Sequence, residues 1–262
     1  MSPPAIPATD LSVEVADDYV ATVEIHRPPD NFFDFELIAD LADTIERLDT
    51  NPDCRAVVLC SEGKNFCAGA RLGSNAEGSG GGDQIGELYD EAVRLARTAT
   101  PVVAAIQGAA VGGGLGVAMM ADFRVAAPDA RFSANFARLG FHQGFGLSVT
   151  LPDVIGRQRA LELLYTGRRV KGDEALEMGL CDRLVPLDMV RVSAHELAAE
   201  IAASAPLAIA SIRATMRGDL GDRVRIATDH ELAEQRRLRS TDDFAEGVAA
   251  MNERRTPQFK GS

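Results

Sequence analysis

Between Val13 and His26 apolar and polar residues alternate on either side of Asp17-Asp18, which predicts a β-hairpin. Arg27-Pro28-Pro29-Asp30 ends it. From Phe35 to Asp49 apolar side chains fall at 37, 38, 41, 45 and 48, the stripe of an amphipathic helix. Ala56–Cys60, Val102–Ile106 and Phe123–Ala126 are short apolar runs of the kind buried in a parallel sheet. Gly73–Gly86, rich in Gly, Ser and Asp, predicts a loop, and Glu87–Thr98 a helix. Strands alternating with helices imply an α/β fold with parallel pairing. The last third changes character. Asp188–Ala203, Pro206–Arg217, Arg223–Arg239 and Asp242–Arg254 each carry helical periodicity. Pro206 suits a first helical turn and Thr241 an N-cap. The expected organisation is a tail over residues 1–10, an α/β core over 11–195 and a helical region over 196–262, without internal repeats.

Composition narrows the possibilities. A chain of 262 residues, 46% hydrophobic and 25% charged, can bury a large core. It has 39 acidic against 27 basic residues, a net charge of −12. That balance excludes a general nucleic-acid binder but leaves room for a local basic patch facing a small phosphorylated ligand. With no Trp and only 3 Tyr, base-stacking platforms are not expected either. Cys54, Cys60, Cys67 and Cys181 form no C-x-x-C pair and have no His cluster nearby, so neither a zinc site nor a disulfide framework is expected. Reduced thiols and the absence of a basic, apolar leader in Met-Ser-Pro-Pro-Ala-Ile-Pro fit a cytoplasmic location. Thr98–Ala121 carries no charge and is long enough to span a bilayer, yet Pro101, Gln107 and its glycines read as buried strand, turn and helix start.

Two glycine-bearing turns follow two of the buried strands. Phe66-Cys67-Ala68-Gly69-Ala70-Arg71-Leu72 comes after 56–60, and Gly108–Gly116 after 102–106. Ligands in α/β sheets gather at the carboxyl ends of strands. Small residues there allow backbone N–H groups close to a ligand, and the second turn opens an apolar helix whose start favours negative charge. Two such turns can aim two donors at one oxygen, the geometry of an oxyanion hole. Spacing alone leaves the alternative of close packing open. A G-x-G-x-x-G fingerprint, a P-loop and a nucleophile elbow are all absent.

These residues resemble the crotonase superfamily, the enoyl-CoA hydratase/isomerase family. The resemblance rests on Gly63 with Phe66–Ala70, and on Pro101–Gly108 with Gly112-Gly113-Gly114. It continues through Asp122–Ala126, Gly156-Arg157 before Ala160–Gly167, Ala175–Leu180 and Asp243–Gly247, covering about residues 12–260. It implies a crotonase-like spiral of ββα units with a C-terminal helical trimerisation region, assembled as a trimer or a dimer of trimers. It implies an acyl-CoA thioester as ligand, coenzyme A being part of the substrate and no separate cofactor, metal, nucleic acid or membrane being involved. By position, the amides of Ala70 and Gly113 hold the thioester oxygen. Arg27, Lys64, Arg71 and Lys260 become candidates for the CoA phosphates, with Phe259 on the adenine side. Ala68, Leu72, Gly112, Phe136 and Phe145 would line the thioester and acyl group.

The chain also departs from the family pattern. The two glutamates of a family hydratase fall at Gly116 and Phe136, and an aspartate position of certain isomerases falls at Gly144. None of these can carry a proton, so standard hydration chemistry is not expected. His142 is a candidate acid or base because imidazole titrates near neutrality. Tyr89, where a dehalogenase branch carries a histidine, is a candidate donor. Asp83 and Glu87, at the end of the expected loop, could reach in. Three functions follow: an enoyl-CoA hydratase/isomerase-like enzyme with displaced catalytic groups, a hydrolase of thioesters or β-dicarbonyl C–C bonds using His142, or a non-catalytic acyl-CoA binder.

Overall fold

The computed structural model describes residues 10–70 and 82–262. The alternating segment forms the expected hairpin. Strand β1 (Leu11–Val15) pairs antiparallel with β2 (Val20–Ile25), Val13 opposite Val23. Helix α1 spans Phe35–Asp49 and buries Leu37, Ile38, Leu41, Ile45 and Leu48. Asp34 caps it, its carboxylate accepting the Leu37 N–H at 3.0 Å, a contact of about 1 kcal/mol.

Strand β3 (Ala56–Ser61) pairs in parallel with β2, and α2 (Gly82–Arg97) leads to β4 (Val102–Ile106) beside β3. The short β5 (Ala109–Val111) and helix α3 (Gly113–Met120) come next, then β6 (Phe123–Ala126) along β4. Strand β7 (Arg131–Ser133) and β8 (Val170–Lys171) join β5 in a second sheet, ordered β5-β7-β8, while β9 (Arg183–Leu184) closes the first, ordered β1-β2-β3-β4-β6-β9. The charge-free run is thus β4, β5 and α3; every residue of β4 is buried between layers, where charge is excluded. No helix among the described residues is long and apolar enough to cross a membrane by itself.

Helices α4 (Leu147–Ile155) and α5 (Arg157–Thr166) connect β7 to β8, and α6 (Gly172–Met178) follows β8. Then α7 (Val190–Ala202), α8 (Pro206–Arg217), α9 (Leu220–Leu238) and α10 (Asp242–Glu253) complete the chain. On one face of the large sheet Val190, Ala194, Ala198 and Ala202 meet Val58, Val103 and Val125. Their four-residue spacing sets a flat small-residue stripe against the strands. The expected boundary near 195 therefore falls inside a helix that covers the sheet. Likewise α9 packs on α2 and α4, so the helical region is not detached from the core.

Two helices begin earlier than their periodicity predicts. Helix α2 starts at Gly82, inside the expected loop, because Ile85 adds a core-facing turn ahead of Leu88. Helix α9 starts at Leu220, not Arg223, since Leu220 packs on the core one turn before Val224.

Candidate active site

The two glycine turns lie side by side. Cys67 N–H donates to Ala109 O at 2.8 Å, and Val111 N–H to Cys67 O at 3.0 Å. Gly69 has φ +95, and a Cβ there would stand 2.8 Å from the Val111 carbonyl oxygen and 3.7 Å from the Gly113 nitrogen. A Cβ on Gly114 would lie 2.1 Å from the Cys67 carbonyl oxygen. Only hydrogen fits at either place, so these glycines permit backbone to meet backbone. Gly112 N–H is spent on Ser133 O at 2.8 Å. The amides of Ala70 and Gly113 donate to no acceptor among the described residues. Gly113 opens α3, so its N–H also carries the positive end of the helix. The thiol of Cys67 is fully buried and pushed up to about 12, which leaves it inert near neutrality.

The facing wall is made of rings. A Cβ on Gly116 would sit 2.6 Å from Phe145 Cβ, and one on Gly113 2.4 Å from Phe33 Cζ. The Phe33 and Phe145 rings are 5.6 Å apart. Phe136 is buried, its ring tip 3.9 Å from the Cβ position of Gly112, and it packs edge-on against Phe141 at 5.4 Å. A Cβ on Gly144 would fall 1.9 Å from the Tyr89 hydroxyl. Each position that lacks an acid is thus occupied by aromatic bulk or lined by it.

Phe145 (φ +60) and Gly146 (φ +74) are successive left-handed residues. Phe145 costs about 1–2 kcal/mol in that conformation, so something must hold the loop. Glu231, buried on α9, accepts Gly146 N–H at 2.8 Å and Ser148 N–H at 2.9 Å, capping α4. Gln235 donates to His142 O at 2.9 Å. Burial pushes the Glu231 carboxyl up, and its hydrogen bonds with Ser148 and Gly146 pull against that. Burial and then the Glu231 charge push the Tyr89 phenol far up, so it stays a neutral donor near neutrality.

The Enoyl-CoA hydratase/isomerase family model matches residues 16–262. The chain belongs to the enoyl-CoA hydratase/isomerase family. A probable enoyl-CoA hydratase of Bacillus subtilis (strain 168) is 31% identical over 250 residues, 94% of this chain and 96% of the relative. A carnitinyl-CoA dehydratase of Proteus mirabilis is 32% identical over 255 residues, 92% and 95% of the two chains. Among solved structures, an enoyl-CoA hydratase/isomerase from Pseudoalteromonas atlantica T6c superposes with TM-score 0.85 at 29% identity, covering 96% of this chain and all 100% of that one. The fold is accordingly the crotonase fold expected from the motifs.

Within this enoyl-CoA hydratase/isomerase family member, the expected site residues divide. Ala70, Gly112, Gly113, Gly116, Phe136 and Phe145 cluster around the two turns, with Tyr89 beneath the Gly144 loop. Ala68 stands beside them, its N–H bonded to Asp30 O at 2.9 Å. His142 is turned toward α9: Nδ1 meets Gln143 O at 2.9 Å and its ring is edge-on to His230 at 5.7 Å. The Arg27 guanidinium is held by Asp10 and Asp34, each at 2.6 Å. Lys64 is exposed and makes no ion pair among the described residues. The tail bearing Phe259 and Lys260 folds on α10, Lys260 and Gly261 N–H donating to the Asp243 carboxylate at 2.6 and 2.8 Å. Arg71, Leu72 and the Asp83 side chain lie outside the described residues, and Glu87 is exposed on α2. No group of three or more His, Cys, Asp or Glu able to hold a metal ion is found among the described residues.

Sequence reading passed over Phe33, Glu231 and Gln235. Phe33 precedes the Asp34 cap, where a hydrophobic staple places an apolar residue. Val224, Thr228, Glu231 and Gln235 share one buried face of α9, and polar residues on that phase were the available signal.

Proposed function

We propose that this protein acts on acyl-CoA thioesters by stabilising an enolate at the Ala70 and Gly113 amides, without a hydratase glutamate pair. Relatives named enoyl-CoA hydratase and carnitinyl-CoA dehydratase support a CoA thioester as substrate. The observation that carries the reading is the closeness of the two turns. The Gly69 Cβ position is 3.7 Å from the Gly113 nitrogen, and neither the Ala70 nor the Gly113 amide is spent on an acceptor among the described residues. When solvent water takes a proton from the carbon next to the thioester, the electron pair of that C–H bond moves onto the carbonyl oxygen. Two fixed donors then bind that oxygen more strongly than in the ground state, which lowers the barrier. The enolate ends by taking a proton back onto carbon. Tyr89, whose hydroxyl fills the place of a side chain at 144, is the donor we assign to that side of the site. Exposed Leu207, Ile212 and Met216 on α8, with Ile226 on α9, support self-association to a trimer or a dimer of trimers.

Steady-state assays across a thioester panel test this. Crotonyl-CoA hydration is expected about 10²–10⁴-fold below that of a relative with both glutamates, the usual worth of general acid–base groups. Turnover of another thioester, reduced in Gly69→Ala, would support the enolate reading. Fast crotonyl-CoA hydration untouched by Gly69→Ala would contradict it. Hydrolysis lost in His142→Ala would instead favour the hydrolase, and binding without turnover of any thioester the non-catalytic binder.

A further inference from the structure

Arg239, the residue just past α9, differs from the other arginines drawn into the body of the protein. Arg27, Arg94, Arg168, Arg213 and Arg217 each have a carboxylate oxygen within 3.0 Å. Arg213 leaves one amino group unbonded, but Asp122 matches its charge. Arg55 and Arg131 lack a carboxylate yet reach oxygens of Ala202 and Asn65. Arg239 is half-buried, its Nε is shut away from solvent, and its side chain has no acceptor among the described residues. The chain is not short of partners, with 39 acidic residues against 27 basic.

The surroundings of Arg239 lead back to the thioester site. Its guanidinium carbon lies 5.8 Å from the centre of the Phe141 ring and 6.0 Å from that of Phe244. Ring faces at that range attract a cation but do not satisfy its in-plane N–H groups. Phe141 and Phe244 are 5.2 Å apart, and Phe141 is 5.4 Å from Phe136, whose tip stands at Gly112 beside the proposed oxygen site. Tyr89 also lies within electrostatic reach of Arg239. A guanidinium held by rings, partly dry and without an acceptor among the described residues, is complementary to a planar anion that brings two oxygens.

We propose that Arg239 binds a carboxylate at the far end of the acyl group, so that the preferred substrate is the CoA thioester of a dicarboxylic acid. This rests on the thioester reading above. The apolar rings between Gly112 and Arg239 would line the methylene segment, and the low polarity there strengthens the terminal ion pair. The same charge disfavours an acyl group bearing a quaternary ammonium.

Calorimetric titration of the full-length protein with matched saturated thioesters provides the test: succinyl-, glutaryl- and adipyl-CoA against butyryl-, pentanoyl- and hexanoyl-CoA. Both members of a pair carry the same CoA phosphates, so phosphate contacts cancel. At least one dicarboxylic ester should bind ten-fold or more tighter than its alkyl partner. Arg239→Met should erase that preference while alkyl binding stays within about two-fold, and Arg239→Lys should restore part of it. Equal binding within every pair, or a preference that survives Arg239→Met, overturns the proposal and leaves the thioester reading standing. Loss of all thioester binding in Arg239→Met together with a smaller species on size-exclusion chromatography also overturns it, because Arg239 then serves a subunit contact. Binding of no thioester of either kind to the unaltered protein overturns the underlying reading, and this one with it.

Discussion

The two walls of the candidate site are built on opposite plans. On one, Gly69 and Gly114 let main chain approach main chain, and the proposed chemistry resides in two backbone amides rather than in side chains. On the other, Gly116, Phe136 and Gly144, the positions where the family resemblance led us to expect side-chain acids, are met by Phe145, Phe141 and Tyr89, which pack against them or into their space. The contrast separates what a fold must keep from what it can exchange. A backbone hole depends on strand register and on glycines with no room for a methyl, so altering it disturbs the fold. An acid on a side chain can be traded for a ring, provided a neighbour shrinks to fit.

The largest effect should come from forcing an acid back onto the ring side. Gly116→Glu places a Cβ 2.6 Å from Phe145 Cβ and a carboxylate among buried rings. Overpacking with an unpaired buried charge should cost upwards of about 4 kcal/mol, seen as insolubility or a steep fall in thermal midpoint. Adding Phe145→Ala should recover part of that loss. No recovery would mean that the two positions do not share one space.

Next comes the main-chain side. In Gly69→Ala the new methyl meets Val111 O at 2.8 Å in a left-handed conformation. The displaced Ala70 amide should cost about 10²–10³ in kcat, the worth of one oxyanion donor, with a smaller loss of stability. Thioester turnover alongside thermal melts separates the two. A loss at the low end of the acid–base range, about 10²-fold, is expected for Tyr89→Phe, which keeps the ring and removes the donor.

The smallest effect belongs to the loop that carries the rings. Burial holds the Glu231 carboxyl above its ordinary 4.5 in the folded protein. The folded state therefore takes up this proton more readily than the unfolded chain. Stabilisation from this group is complete below the ordinary value and is lost as pH rises through the raised one. Thermal midpoints of wild type relative to Glu231→Gln should fall as pH climbs from 4.5 upward. A gap constant with pH would show that Glu231 does not titrate there.

Much of the scaffold was legible because local signals and burial agree. The stripe at 37, 38, 41, 45 and 48 became α1 with the same bounds, and Pro206 opens α8. Thr241 caps α10, accepting the Phe244 N–H at 3.2 Å. The second sheet was not legible, since strands of two or three residues carry no alternation. The glycine turns could be read as a motif, but their closeness is a matter of register between distant segments. Phe33, Glu231 and Gln235 escaped notice because each acts across the fold: Glu231 meets Gly146 over a gap of 85 residues. Arg27 shows the converse, a motif-placed cation already spent on Asp10 and Asp34.

The central claim is that the Ala70 and Gly113 amides share one thioester oxygen. Infrared difference spectroscopy of a bound, 13C-carbonyl-labelled saturated acyl-CoA reads that bond itself. The account predicts a carbonyl stretch shifted to lower frequency on binding, with the shift largely lost in Gly69→Ala although the ester still binds. A bound carbonyl at its solution frequency, or a shift unchanged in Gly69→Ala, would contradict it.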